Sequence, residues 1–246
     1  MLNKVLIIIP TYNEYQNIIS LLKSVDIQRQ NLKAKYEISI LNVDDNSPDG
    51  TARLAAALEL PNFFSISNPE KIGLGPAYIA GFNWGLAKDF DFFVEMDADG
   101  SHLPEELIDL LESAKKYDLV IGTRWMPEGT ILNWPWYRRL ISKLGTFYAA
   151  KVLRLEYRDL TSGYRVLSRN FLRSINLTDI STKGYGFQIE IAFQAFVNGF
   201  SIHEVPITFV EREHGRSKMT LGIALEAFKF VSVLGIRRWV MGVIRR

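Results

Sequence analysis

The stretch Val94-Glu95-Met96-Asp97-Ala98-Asp99-Gly100-Ser101-His102 decides how the rest of the chain is interpreted. The apolar and aromatic run that leads into it, residues 90–96, predicts a buried strand. Side chains at positions i and i+2 of an extended segment point the same way, so Asp97 and Asp99 are expected to converge. Two carboxylates held together repel each other unless a cation lies between them. The pattern therefore predicts a site for Mg²⁺ or Mn²⁺, with water and substrate phosphates as the remaining ligands.

A second interpretation treats the same residues as the start of a helix. Asp99 and Ser101 are both common N-cap residues, and Pro104-Glu105-Glu106 is typical of a first helical turn. A short Asp-x-Asp pattern does not decide between the two, and so the surrounding sequence must.

Strands and helices alternate along the chain. The β-branched run at residues 4–9 predicts a first strand, because strands buried on both faces of a parallel sheet are continuously apolar. Residues 159–165 are predicted to form a turn-rich connection. The other predicted strands, with helices between them, are residues 36–43, 62–66, 90–96, 119–122 and 202–210. The alternation predicts an α/β fold with a doubly wound, mostly parallel sheet flanked by helices.

Ligands of such sheets bind beyond the carboxyl ends of the strands. Polar residues follow several of these strand ends and are expected to meet at one edge: Tyr12 and Glu14, Asp44 and Asp45, Asp97 and Asp99, and Thr123 and Arg124. Each acid taken alone could simply cap the next helix. The phosphate-binding motif of P-loop proteins, G-x-x-x-x-G-K-[ST], does not occur in the sequence. The stretch Gly73-Leu74-Gly75-Pro76-Ala77-Tyr78 departs from the G-x-G-x-x-G motif of dinucleotide-binding proteins.

Composition narrows the class of protein. A chain of 246 residues suits one domain with an elaborated end. The net charge of +2 gives no reason to expect a nucleic acid partner. The absence of cysteine excludes disulfides and thiolate metal sites, and it fits a reducing compartment. The apolar run at residues 6–10 is too short for a secretory signal, so none is expected.

The C-terminal segment is predicted to form an amphipathic, basic helix. Residues 219–236 are mostly apolar but contain Glu226 and Lys229, whereas a membrane span needs about 20 predominantly apolar residues. The segment ends in a basic tail with Arg237, Arg238, Arg245 and Arg246. Such a helix can lie on an anionic bilayer, or its first part can dock on the protein's own core. We expect a domain at residues 1–218 and a basic helical tail at residues 219–246, placed at the membrane interface.

Two further segments concentrate arginines. Asn133-Trp134-Pro135-Trp136-Tyr137-Arg138-Arg139 interleaves them with aromatic rings, which suits a membrane interface or a phosphate ligand, and equally ordinary packing. Residues 211–218 place charges around a glycine, as expected of a loop that closes on a phosphate, or of a solvated surface loop.

With these pieces placed, the chain resembles the inverting family-2 glycosyltransferases, specifically the polyprenol (dolichol) phosphate mannose synthases. The resemblance covers essentially the whole chain, and its Asn-Trp-Pro-Trp and Asp-Gly-Ser-His motifs are most similar to those of bacterial, actinobacterial-type members. The segments that carry it are residues 9–14, 43–51, 68–85, 95–102, 122–124, 133–136, 161–165, 184–190 and 204–219.

The resemblance implies a GT-A (nucleotide-diphospho-sugar transferase) fold and a requirement for Mg²⁺ or Mn²⁺. It implies inverting transfer of mannose from GDP-mannose to a polyprenyl phosphate, giving the β-mannosyl product. Relatives with transmembrane helices exist, and this chain has only the short amphipathic tail. The expected location is therefore peripheral, at the cytoplasmic face of the cytoplasmic membrane, or dependent on a membrane protein partner.

Carried over position by position, the resemblance also implies roles for individual residues. Asp97, Asp99 and Arg212 are the implied catalytic residues, and the two aspartates are the implied metal ligands. Ser101 stands where many relatives have Gln, so it is expected to contact the metal through its hydroxyl or through water. The implied nucleoside pocket is Pro10, Tyr12, Glu14, Val43 and Asp45, with Ala98 lining the donor site and Arg124, Arg212 and Lys218 on the phosphates.

Elementary chemistry agrees with several of these roles. The ring of Tyr12 can stack on a base, and the Asp45 carboxylate can accept two hydrogen bonds from the guanine edge. A lipid phosphate is already anionic, so no general base is needed, and His102 is predicted not to be one. Two alternatives stay open: a glucosyltransferase that uses UDP-glucose on polyprenyl phosphate, and a non-catalytic scaffold that binds a nucleotide sugar.

Overall fold

The structure is a computed structural model that describes residues 2–180, 182, 184–212 and 221–244. The strands are β1 (Asn3–Thr11), β2 (Tyr36–Asp44), β3 (Phe63–Ser67), β4 (Phe92–Glu95), β5 (Leu119–Thr123), β6 (Thr130–Leu132), β7 (Arg165–Ser168), β8 (Ile202–Pro206) and β9 (Thr208–Val210). The helices are α1 (Ile18–Leu32), α2 (Thr51–Ala56), α3 (Leu74–Leu86), α4 (Leu107–Ala114), α5 (Trp136–Leu153), α6 (Arg169–Ser174), α7 (Tyr185–Val197) and α8 (Leu221–Ile244). Short 3₁₀ turns occur at Pro104–Glu106 and Leu177–Asp179.

The main sheet has seven strands in the order β3-β2-β1-β4-β7-β5-β8. The pairs β1·β2, β2·β3, β1·β4 and β5·β8 are parallel, and β7 is antiparallel to both β4 and β5. A second, two-stranded sheet joins β6 and β9. The predicted α/β fold with a mostly parallel sheet is confirmed.

Helices cover both faces of the sheet, because its strands alternate their side chains between two cores. On β1, Leu6 and Ile8 face the core that includes Tyr78 and Phe82 of α3. Val5, Ile7 and Ile9 of the same strand face the opposite core, formed with α1 and α4. Burial on both faces accounts for the continuous apolar run in the sequence.

Residues 159–164 form the predicted turn-rich connection. Two strand predictions were wrong. Strand β7, which begins at Arg165, was not predicted, because its four residues are too few to show a periodic pattern. The single strand expected at residues 202–210 is two strands, because the chain leaves the main sheet at Ile207. Its first part pairs with β5 and its second with β6 in the small sheet. Pro206, which has no N–H to donate, ends the first part.

Helix α8 docks on α5 with one face. The rings of Tyr148 and Phe228 stack with centroids 4.5 Å apart, and the Tyr148 hydroxyl is 2.7 Å from that of Ser232. Val231 is buried in the core between the helices. At Gly235 a Cβ would lie 2.4 Å from a Val152 side-chain carbon, so only glycine permits this approach. In the described part of the chain, every helix is too short or too polar to cross a bilayer.

Candidate active site

The two aspartates lie just beyond the carboxyl end of β4. Asp97 is partly open to solvent, with 30% of its side chain exposed, whereas Asp99 is buried. Asp99 accepts the backbone N–H of Ser101 at 3.0 Å, across a turn in which Gly100 adopts φ +75°. The following 3₁₀ turn has Leu103 at its N-cap and no side-chain cap. Asp99 therefore closes its own turn and does not cap a helix.

Arg212 neutralises one of the two carboxylates. Its Nη2 lies 3.0 Å from Oδ2 of Asp99, and both side chains are largely buried. Arg212 follows β9, whose Val210 donates its N–H to the carbonyl of Ser101 at 3.1 Å. This backbone contact brings the predicted phosphate-binding arginine to the carboxylates. Lys218, the other cation predicted on this loop, lies outside the described residues.

His102 is packed as a structural side chain. Its ring stacks on Tyr164 with centroids 5.0 Å apart and meets Phe209 edge-on at 5.6 Å. The backbone N–H of Asp97 donates to Nδ1 at 3.1 Å, and Nε2 lies 3.8 Å from Oδ2 of Asp97. Burial lowers the pKa of His102, against the opposing effect of Asp97 and Asp99. The imidazole is therefore neutral, with its proton on Nε2.

Arg124 is held at the end of β5 by a buried aspartate that sequence reasoning missed. Its Nε and Nη2 donate to the two carboxylate oxygens of Asp159, each at 2.7 Å, and Nη2 also donates to Thr161 Oγ1 at 3.0 Å. The backbone N–H of Asp159 donates a hydrogen bond to the carboxylate of Glu204, on β8, at 3.0 Å. The only sequence signal for this clamp is an acid inside a turn-rich segment.

A cavity of about 460 Å³ joins these charged groups to an apolar channel. Asp97, Asp99, Arg124 and Arg212 line one end of it. The other end runs between α5 and α8 and is lined by residues such as Ile141, Leu144, Gly145, Tyr148, Phe228 and Val231. The site can thus take a ligand that is strongly anionic at one end and apolar at the other.

The segment at residues 133–139 divides between a packed part and an exposed part, and its membrane and phosphate roles stay predictions. Trp134 is buried and packs edge-on against Phe209. Trp136 is 75% exposed. Arg138, which we did not single out as a ligand residue, lines the cavity, donates to Glu211 at 2.6 Å and lies over the Trp134 ring at 4.3 Å.

The residues present fit a divalent cation that is only partly coordinated by protein. Within the described ranges, no group of three or more His, Cys, Asp or Glu side chains is arranged to hold a metal. Asp97 and Asp99 supply two carboxylates, and the hydroxyl of Ser101 is buried beside them without a hydrogen-bond partner. Mg²⁺ commonly takes one or two carboxylates and completes its shell with water and substrate phosphate. The donor set therefore suits Mg²⁺ or Mn²⁺ with a diphosphate ligand.

The predicted nucleoside-pocket residues gather at the ends of β1 and β2. Pro10 pairs with Val43 in the strand register, and the Val43 side chain is fully buried in the core, so only its backbone can meet a ligand. Lys71 Nζ lies 4.0 Å from the Tyr12 ring centroid. Glu14 accepts from Asn17 at 2.7 Å.

Asp45 is more constrained than the sequence suggested. Its carboxylate accepts hydrogen bonds from the Asn68 side chain at 2.7 Å and from the backbone N–H groups of Ile72 and Gly73 at 3.2 and 2.9 Å. These donors fix the start of α3 against β2. The base of a nucleotide can bind this carboxylate only if it shares the oxygen atoms with these three donors. Ala98, the predicted donor-lining residue, is buried between the two aspartates.

Comparison with known proteins places the chain in a broad family of transferases. The model of glycosyl transferase family 2 matches residues 6–175. An undecaprenyl-phosphate mannosyltransferase of Micrococcus luteus is 47% identical over 239 residues, which are 96% of this chain and 93% of that protein. A polyprenol monophosphomannose synthase of Mycolicibacterium smegmatis is 45% identical over 238 residues, 95% of this chain and 88% of that protein.

Among solved structures, glucosyl-3-phosphoglycerate synthase from Mycobacterium tuberculosis is similar. Its complex with Mn²⁺, UDP-glucose and phosphoglyceric acid matches with a TM-score of 0.72 and 19% identity, covering 95% of this chain and 80% of that one. Its complex with Mn²⁺, UDP and phosphoglyceric acid gives a TM-score of 0.70 at 20% identity, covering 95% and 78%. At this identity the likeness bears on the fold alone, and it agrees with a GT-A arrangement.

Proposed function

Because the chain belongs to glycosyl transferase family 2 and is a glycosyltransferase of GT-A fold, we propose that it transfers mannose from GDP-mannose to a polyprenyl phosphate, with inversion. The observation that carries the proposal is the single cavity that joins paired carboxylates and arginines to an apolar channel. The names of the two bacterial relatives, both over 40% identical, support the same sugar and the same class of acceptor.

The donor diphosphate is proposed to bind at the charged end of the cavity. A divalent cation held by Asp97 and Asp99, with Ser101 nearby, would supply charge neutralisation for the departing nucleotide. Arg212 lies 3.0 Å from Asp99, and its guanidinium is proposed to bind a phosphate oxygen beside that carboxylate. Tyr12 and Glu14 lie at the end of β1, where the nucleoside is proposed to sit.

The acceptor phosphate is proposed to lie between the carboxylates and the apolar channel. Arg124 cannot swing away from this position, because Asp159 binds it through two nitrogen atoms. Arg138 adds a second cation from α5. The polyprenyl chain follows into the channel between α5 and α8, where it meets residues such as Leu144 and Phe228.

The chemistry then needs positioning more than proton transfer. The phosphate oxygen of the acceptor is already charged and attacks the sugar carbon directly, so no side chain has to remove a proton. His102 is neutral, buried and bound to the backbone of Asp97, which is consistent with a structural role. A single displacement from the face opposite the nucleotide converts the α linkage of the donor into a β linkage.

Membrane contact is proposed to be peripheral, at the cytoplasmic face of the cytoplasmic membrane. Helix α5 exposes Trp136, Tyr137, Leu140, Ile141, Leu144 and Phe147, and α8 exposes Leu225, Phe228, Val233 and Ile236. Four of them, Tyr137, Ile141, Leu144 and Phe228, also line the cavity. Apolar surface beside a lipid-binding cavity suits a protein that takes its substrate from a bilayer.

The test is an assay with radiolabelled GDP-mannose, Mg²⁺ or Mn²⁺, and a short-chain polyprenyl phosphate. We expect an organic-soluble mannosyl lipid that forms only with the cation. Parallel reactions with UDP-glucose test the competing donor. Turnover of UDP-glucose but not of GDP-mannose would show that the proposed donor is wrong. Binding of GDP-mannose without any turnover would favour a non-catalytic scaffold.

A further inference from the structure

The largest fully buried side chain of the described structure is an arginine, Arg165 at the start of β7. It donates from Nε to the carbonyl of Ser162 at 2.8 Å, from Nη2 to that of Leu160 at 2.7 Å, and from Nη1 to that of Gln188 at 2.6 Å. One guanidinium therefore ties the turn at residues 160–162 to the first turns of α7. Burial lowers its pKa to about 10, so the group remains charged at neutral pH.

The turn that Arg165 holds packs against the side chain of Asp97. A Cβ built on Gly163 would lie 3.2 Å from Oδ2 and 3.3 Å from Oδ1 of Asp97, so the backbone there packs directly against this carboxylate. Thr161, in the same turn, lines the cavity and accepts from Arg124. Movement of the turn would shift the carboxylate and the Arg124 clamp together.

Glu95 is the acidic neighbour of Arg165 on the adjacent strand, and burial raises the pKa of its carboxyl to about 7. The antiparallel register of β4 and β7 places the two residues opposite each other, and both are fully buried. Carrying such a pair inside the protein costs desolvation energy, and well-packed neutral side chains are often at least as stable in its place. Stability alone therefore does not explain an arginine at this position, whereas its contacts to the carbonyls of Leu160 and Ser162, in the turn that packs against Asp97, do.

We propose that Arg165 is a positioning residue for Asp97, which it holds in place through the turn at residues 160–163. The inference rests on the proposed role of Asp97 as a metal ligand. Partners in the outer shell of metal sites change metal affinity by about 10- to 100-fold when they are removed. A loosened turn should therefore weaken metal binding without removing either carboxylate.

The test measures Mn²⁺ affinity by electron paramagnetic resonance in the presence of GDP, on full-length protein. The main variant is the double substitution Glu95→Gln/Arg165→Met, which leaves no unpaired buried charge. A second variant, Arg165→Lys, keeps the charge but replaces the planar fork by a single ammonium group. The control is Arg169→Met, because Arg169 also donates to backbone carbonyls, those of Asp89 and Phe90 at the opposite end of β4.

We expect Mn²⁺ to bind about tenfold more weakly to the double variant, and several-fold more weakly to Arg165→Lys, in samples whose thermal unfolding shows a folded protein. Arg169→Met should bind Mn²⁺ as the wild type does. Folded Arg165 variants with wild-type Mn²⁺ affinity would overturn the inference and leave the proposed function intact. A wild-type protein that binds no Mn²⁺ with GDP would instead remove the metal site, and both proposals with it.

Discussion

The backbone N–H of Asp97 donates a hydrogen bond to Nδ1 of His102 over 3.1 Å. Because that nitrogen accepts, the proton of the neutral ring is on Nε2, which faces the Asp97 carboxylate. A ring in this state has no lone pair free for a proton from a substrate. His102 thus shapes the turn that carries both aspartates.

Replacement of His102 by alanine should cost stability more than catalysis. The buried ring packs between Tyr164 and Phe209, and we expect its removal to lower the free energy of unfolding by about 2 kcal/mol. The kcat of the folded fraction should fall less than about tenfold, far below the loss expected for a general base. Chemical denaturation and active-site titration with donor give the two quantities. A folded His102→Ala protein without turnover would refute the assignment.

Substitution of either carboxylate should abolish transfer. Asp97→Asn and Asp99→Asn each remove one charge from the proposed cation site, and we expect kcat/KM to fall by at least about a hundredfold, or about 2.7 kcal/mol. Removal of free divalent cations by EDTA should have the same effect on the wild type. The control is Asp109→Asn, which changes an exposed acid on α4 and should leave kcat/KM unchanged.

Arg212→Gln should strongly reduce transfer while the protein stays folded. The guanidinium lies beside Asp99, and loss of one donor to a developing negative charge typically costs about 10²- to 10³-fold in kcat. Steady-state rates at saturating donor and acceptor measure the effect. Arg173→Gln, which alters an exposed arginine on α6, is the matched control. Equal rates for the two variants would contradict the phosphate role of Arg212.

Gly145 offers a test of the acceptor channel that does not touch the charged residues. It lies within α5, lines the cavity, and a Cβ there meets no atom within 4 Å. Gly145→Ala should stabilise the helix by up to about 1 kcal/mol with little effect on the KM of the acceptor. Gly145→Leu should raise that KM by about tenfold, because its side chain occupies the lipid channel, an effect of about 1.4 kcal/mol. Unchanged acceptor KM in Gly145→Leu would place the lipid elsewhere.

The exposed face of α5 should govern membrane binding. In Trp136→Ser/Phe147→Ser, two large apolar side chains are lost from the surface. We expect the fraction bound to anionic vesicles to fall at least tenfold, since insertion of each ring is worth about 1.5 to 3 kcal/mol. Turnover of a detergent-solubilised acceptor should persist. Ile27→Ser, which removes an exposed apolar residue from α1, is the control, and equal vesicle binding by both proteins would refute the assignment.

Sequence patterns predicted the parts of this molecule that depend on local order. The run at residues 4–9 identified β1 because both faces of the strand are buried, and the apolar run before Asp97 identified β4. The i, i+2 argument assumed an extended segment, whereas Asp99 lies in a turn beyond the strand end. The Arg124 clamp was not predictable, since its partner Asp159 lies 35 residues further along the chain. Strand β7 was missed for a similar reason, because four residues in an antiparallel insertion carry no periodic signal.

The sequence predicted only part of the apolar channel between α5 and α8. The apolar composition of α8 was evident, but whether it would face a bilayer or the core depends on Tyr148 and Gly235, whose partners lie on a different helix. Val231 is buried against the core, as the docked arrangement predicts, whereas Ile236 is exposed, and contact with a bilayer stays a prediction.

The position of strand β7 in the sheet also affects how the chain folds. It lies between β4 and β5, so the sheet remains in two separate halves until residues 165–168 pair with both. Pairing between strands that are far apart in sequence loses chain entropy on loop closure before the stabilising contacts form, and this slows folding. While the polypeptide is still emerging from the ribosome, the backbone of β4 is an open strand edge. We expect nascent chains that stop short of β7 to depend on chaperones and to aggregate through that edge.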